Sequence, residues 1–203
     1  MSGDAAATAH NIVAHELLYR LGFAIEVFCL QCNVPLSLLL FDLFRVVNKR
    51  VAVLMLFFSS VGTAVESVSL LAHYAPLVLL GKGLYLSAYT AEQLHAAAYL
   101  SLRLFESGFS IALTFFGFFC LALAYIISRS AFFLRVIGGL LVIQGSLYLT
   151  NSFANFVAPA VGARVFPFLA LSGVAEISFC LWLLLVGVNV QRWTEQAGTA
   201  QRV

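Results

Sequence analysis

Residues 51–75 read VAVLMLFFSSVGTAVESVSLLAHYA. In this stretch Glu66 is the only acid, and there is no lysine or arginine. A hydrocarbon slab about 30 Å thick is crossed by about 20 apolar residues as α-helix. In lipid the backbone must satisfy its own hydrogen bonds, which a helix does within one segment. The alternation of a membrane β-strand is missing. The stretch therefore reads as a spanning helix with a carboxyl group inside it.

Four more runs of this kind flank it. They cover Leu17 to Phe44, Leu94 to Ile127, Leu134 to about Phe156, and Pro167 to Asn189. The whole chain is 62% hydrophobic and only 10% charged, with a mean hydropathy of +0.99. Soluble domains are nearer half apolar and a quarter charged. The expected fold is an all-α polytopic transmembrane bundle of about five spanning helices. Residues 1–16 form a polar outer segment, 17–190 a single membrane domain and 191–203 a short tail. The first sixteen residues, MSGDAAATAHNIVAHE, lack the basic stub and apolar core of a cleavable leader. GlyLysGly at 81–83 signals a turn between the second and third spans. As a single helix, Leu94–Ile127 would be about 51 Å long, so a bend or projection is expected near Ser107 and Gly108. Arg103 and Glu106, three apart, read as a surface pair.

A net charge of +2 without a long basic tract argues against nucleic acid as a partner; the lipid bilayer is the expected one. Basic residues orient the bundle. Arg45, Lys49, Arg50, Arg129, Arg135, Arg192 and Arg202 fall on one side. Arg20, Lys82 and Arg164 fall on the other, with Arg103 nearby. This imbalance puts the C-terminus in the cytoplasm and, with five spans, the N-terminus outside. Trp193 beside Arg192 reads as an interfacial anchor.

The acids inside the spans are Glu26, Glu66 and Glu176. A charge at mid-bilayer costs about 2.5–3.5 kcal/mol on insertion scales. Such a group faces the interior, finds a partner or holds a proton. Glu66 lies nine residues before Ala75, and Glu176 nine after Pro167. Both are thus about 14 Å below the outer boundary, while Glu26 is about 9 Å or slightly deeper. The expectation is a shared polar pocket of Glu26, Glu66 and Glu176, with Asn33 and Gln144, that takes a small polar solute or cation. The competing reading has each acid bonding separately to Ser67, Ser69, Ser172, Ser178 or Arg20 and only fixing helix packing.

Glu26, Cys29 and Asn33 follow at spacings of three and four and form a stripe, with Pro35 beyond it as a kink. Gln144, Tyr148 and Asn151 form a second polar face, and Gly138, Gly139 and Gly145 suggest close helix approach. Cys29 and Cys32 make a Cys-x-x-Cys, a redox candidate that is weak within a spanning helix; Cys120 and Cys180 read as core. His10, His15, His73 and His95 read as surface or interfacial, and no spacing assigns a metal. No phosphate loop, nucleophile elbow or dinucleotide fingerprint occurs, and no cofactor is indicated.

GDAAATAHNIVAHELLYRLG at 3–22, TFFGFFCLALAYIISRSAFFLRVIGGLLVIQGSLYLTNSF at 114–153 and AEISFCLWLLLVGV at 175–188 resemble a bacterial multi-pass membrane family. It is known as domain of unknown function number forty-three eighty-six. The chain departs from its pattern at Phe119, where a histidine is usual, and at Leu134, where a proline often stands. The resemblance implies six spans, the first of them preceding this chain's start, and so both ends in the cytoplasm. It also implies a bacterial cytoplasmic (inner) membrane, and it brings no activity. The functional expectation is a small carrier or binder. The alternatives are a non-catalytic structural subunit and a membrane-embedded redox or metal enzyme, and the balance leans away from catalysis.

Overall fold

Every apolar run is helical. The computed structural model describes residues 4–200; Arg202, counted above among the basic residues, lies outside them. The elements are α1 (Ala5–Ala14), α2 (Glu16–Phe44), α3 (Lys49–Leu79), α4 (Ala91–Arg129), α5 (Arg135–Val157), α6 (Pro159–Val165), α7 (Ala170–Leu181) and α8 (Val190–Ala200). Five segments are long and apolar enough to span a membrane: α2, α3, α4, α5 and the stretch Pro159–Val186. The protein is an all-α, multi-pass membrane protein. The fifth span begins eight residues before the expected Pro167, because Pro159 opens α6 at its first turn, where a missing N–H costs nothing.

The polar N-terminal segment and the C-terminal tail each contain a helix. In α1 the Asp4 carboxylate accepts the Ala7 N–H at 2.9 Å, capping an alanine-rich turn. In α8 a short polar helix follows the last span. The GlyLysGly turn leads into a 3₁₀ turn, Leu84–Ala88, which buries Leu86 and leaves Leu84 91% exposed. Helix α4 continues unbroken through Ser107 and Gly108. Pro35 and Pro76 are both accommodated within helices.

The chain divides into two compact units, Met1–Cys32 with Thr63–Phe109, and Asn33–Gly62 with Ser110–Val203. In the first, Ala9, Ile12, Leu70, Leu77, Leu86 and Ala98 are buried. Gly108 of α4 lies against Ser69 of α3 so closely that any β-carbon there would overlap the serine hydroxyl. Arg103 and Glu106 form an exposed ion pair, as their spacing suggested.

The second unit holds an apolar core of Leu40, Phe44, Met55, Leu123, Ile126 and Ile127, joined by Phe132, Phe133, Ile137, Leu141 and Phe179. Phe44 stacks on Phe132 with ring centroids 5.8 Å apart. Lipid tails are as apolar as these side chains, so close packing supplies the attraction here. Gly138, Gly145 and Ser152, seven apart, form the small-residue face of α5. A β-carbon on Gly145 would stand 2.7 Å from the Gly117 carbonyl oxygen of α4. One on Gly139 would meet nothing within 4 Å, so only one of this adjacent pair serves helix approach.

The last span ends in a π-helical turn, Trp182–Val186, closed by Gly187 at φ 70° and ψ −157°. Only glycine adopts that backbone region readily. Helix α8 follows and is tied back to the second unit. Trp193 Nε1 donates to the Leu43 carbonyl at 2.9 Å. Gln196 Oε1 accepts the Ala131 N–H at 3.1 Å, and Arg192 donates to the Ala131 carbonyl at 3.3 Å. Trp193, expected as an interfacial anchor, fastens α8 to the end of α2.

Candidate functional site

In the first unit, α2 turns Leu17, Leu21, Ile25 and Phe28 outward, each more than half exposed. The opposing face carries Tyr19, Phe23, Glu26 and Leu30 at spacings of four, three and four, the repeat of one helix face. Glu26 is on this less exposed face because its neighbours at helical spacing pack there. Its carboxylate Oε2 lies 2.7 Å from Nδ1 of His73 on α3. The imidazole is held on three sides. Phe105 stacks on it at 4.5 Å, while Tyr19 and Phe23 meet it edge-on. The Tyr19 hydroxyl donates to the His73 carbonyl at 2.6 Å. Glu66 precedes His73 by seven residues, hence on the same face of α3 and about 10.5 Å along its axis. It is half-buried and within electrostatic reach of Glu26.

Along the expected stripe, Glu26 and Asn33 are half-buried and Cys29 is exposed. It and Cys32 are exposed, and all four cysteines are free thiols. The burial repeat passes from Leu30 to Asn33 and Ser37 instead, leaving Cys29 and Cys32 on one exposed flank of it.

In the second unit, Asn33 Nδ2 reaches Ser59 Oγ at 3.5 Å, and Ser59 and Ser37 share a hydrogen bond of 2.6 Å between hydroxyls. Ser37 and Ser59 are buried and cross-link α2 to α3. Gln144 meets Glu176 directly. Its Nε2 donates to Glu176 Oε1 at 2.7 Å and to the Tyr148 hydroxyl at 3.1 Å; that hydroxyl in turn donates to the same carboxylate oxygen at 2.6 Å. Gln144 and Tyr148, four apart, project together from α5. Glu176 is at the exposed flank of the α7 stripe Ser172, Ala175 and Phe179. Among the described residues it has no ion pair with lysine, arginine or histidine.

Gln144 is only 3% exposed, and its Oε1 has no hydrogen-bond partner. The same holds for Asn151 Oδ1 and for Ser152 Oγ, in residues 2% and 0% exposed. A buried polar atom left unmatched costs about 1–3 kcal/mol. Two such oxygens, Gln144 Oε1 and Asn151 Oδ1, follow one another along the face of α5 that holds Glu176. Carboxylate and amide oxygens are hard donors, suited to alkali or alkaline-earth cations rather than soft metals. Among the described residues no three His, Cys, Asp or Glu side chains converge.

The expected serine and arginine partners of the acids are not the ones used. Ser67 and Ser69 donate to carbonyls of their own helix, Ser172 donates to the Leu169 carbonyl just before α7, and Arg20 pairs with Glu16. The partners missed were His73 and, for Glu176, Tyr148.

A family profile, Domain of unknown function (DUF4386), matches residues 1–187. The chain belongs to this family. The match to DUF4386 takes in both acid clusters and stops before α8. No curated protein and no solved structure matches the chain.

Proposed function

We propose that this DUF4386 protein is a small carrier or binder of a bacterial cytoplasmic membrane, with its C-terminus in the cytoplasm, that engages a small cation or polar solute through acids inside its spans. The observation carrying this reading is the Glu176 cluster. Two donors grip one oxygen of the carboxylate, and the buried amide that supplies one of them leaves its own oxygen unmatched. A carboxylate on an exposed helix flank within a span needs neutralising, since lipid offers no water to do so. A cation or a proton beside Gln144 Oε1 would meet both requirements. The Glu26–His73 pair with Glu66 gives the first unit an ionisable cluster of its own.

A second reading is favoured by the saturation of Glu176 Oε1, which already accepts two hydrogen bonds. There the acids only lock helices together. The readings separate in purified protein held in neutral lipid nanodiscs. Thermal unfolding is followed in sodium chloride, potassium chloride or choline chloride across pH, for the native chain and for Glu176→Gln and Glu26→Gln. Binding predicts that a small cation raises Tm in a saturable way that Glu176→Gln abolishes while the variant still folds. Cation-independent unfolding of every protein at every pH, with Glu176→Gln merely less stable, would favour the structural role.

A further inference from the structure

At the end of the second unit where α4, α5 and α8 meet there is a cavity of about 560 Å³, with Ser130, Leu134, Arg135, Arg192 and Glu195 in its wall. A second cavity of about 370 Å³ shares Phe133, Leu134 and Arg192 with it, but is otherwise walled largely by Phe132, Trp182 and Val186. The two form one groove, cationic at one end and apolar at the other.

Three features favour a phosphate at the cationic end. Arg135 and Arg192 bring two guanidinium groups, whose planar forks match phosphate oxygens. Helix α5, of 23 residues, begins at this wall, and Leu134 in its N-cap position offers no side-chain oxygen to the first-turn N–H groups. Those groups and the helix dipole favour an anion. The surrounding helix ends carry Arg45, Lys49, Arg50 and Arg129 against Asp42 and the Glu195 carboxylate in the wall, so the field at this end stays positive beyond the cavity. At the apolar end, the Trp182 indole N–H is buried without an acceptor. Basic pockets at the ends of transmembrane helices are suited to anionic head groups, with acyl chains running along adjoining apolar surface.

We infer that this groove binds a phosphate-bearing anion, and that its source is an anionic phospholipid with its phosphate on Arg135 and Arg192 and its upper acyl chain against Phe132 and Trp182. This site is separate from the acid clusters and does not depend on their role.

The chain's two tryptophans are Trp182, in the wall of the groove, and Trp193, packed beside the same core. Intrinsic fluorescence therefore reports the site. The full chain in uncharged detergent is titrated with dioctanoyl phosphatidylglycerol, dioctanoyl phosphatidylcholine or inorganic phosphate. Phosphatidylglycerol should shift the emission saturably and phosphatidylcholine should not. Arg135→Gln and Arg192→Gln should each weaken the binding about fivefold, whereas Arg135→Lys should keep most of it and Lys82→Gln all of it. Because Arg192 also fastens α8, Arg135→Gln decides the matter should Arg192→Gln fail to fold. An equal, arginine-dependent response to inorganic phosphate would uphold the phosphate site and assign it to the free anion. Equal responses to both lipids, or a phosphatidylglycerol response that Arg135→Gln leaves unchanged, would overturn the proposal.

Discussion

Replacing Tyr148 with phenylalanine removes one oxygen and almost nothing else. That oxygen donates to Glu176 Oε1 at 2.6 Å and accepts from Gln144 Nε2 at 3.1 Å. Hydrogen bonds to a charged group contribute about 1.5–3 kcal/mol in general. Inter-helix hydrogen bonds in a membrane average about 0.6 and reach about 1.7 kcal/mol, since the unfolded chain in lipid also finds partners. The carboxylate keeps its Gln144 donor at 2.7 Å, so the loss should lie near the upper membrane value, about 1–1.5 kcal/mol. The assay is reversible unfolding in mixed micelles at rising dodecyl sulfate fraction, followed by tryptophan emission. Tyr148→Phe, Glu176→Leu (which removes the acceptor) and the double variant complete a cycle, and the coupling between the two sites should be about 1 kcal/mol. A coupling within about 0.3 kcal/mol of zero would mean that the α5–α7 contact does not depend on this bond.

Gly145→Ala should destabilise the protein by about 1–3 kcal/mol, as overpacking does, because the new methyl lies 2.7 Å from the Gly117 carbonyl oxygen. Gly139→Ala, with open space around it, should instead be neutral or stabilising by up to about 1 kcal/mol in the same unfolding assay. His73→Ala removes both the partner of Glu26 and a ring stacked on Phe105, and should cost about 2–4 kcal/mol. Glu26→Gln, which can still hydrogen-bond the imidazole, should cost less; a larger loss than for His73→Ala would contradict this ordering. Trp193→Ala should free α8 without unfolding the spans. Amide exchange should then speed up selectively at residues 190–198, and uniform exchange across α5 and α8 would refute it.

The spans could be read directly from hydropathy, because a lipid-crossing helix leaves its signature in local composition. The short helices could not, since what holds them lies elsewhere in the chain. Helix α8 is fastened by Leu43, Arg129 and Ala131, far from it in sequence. Two signals were nonetheless present: Asp4 before an alanine run for α1, and Pro159 as the opening residue of α6. The acids stood out in the sequence as the charged groups inside the spans, and Gln144 hydrogen-bonds Glu176. Depth alone, however, does not choose a partner. Glu26 and His73 are 47 residues apart, and only the packing of α2 on α3 shows that the histidine is within reach. Cys29 was ambiguous because a spacing of three fits either edge of a helical stripe, and burial by Leu30 and Asn33 decided which edge turned inward.

The glycine that closes the π-helical turn has a wider consequence. With any other residue at 187, the easy course for the backbone is to carry on as helix, so the last span and α8 would become one continuous rod. Its polar end would be aimed away from the bundle, and both cavities would lose the wall that Arg192 supplies. The break between the last span and α8 thus depends on one pair of torsion angles, and a change of one side chain at that joint would act on the groove from outside it.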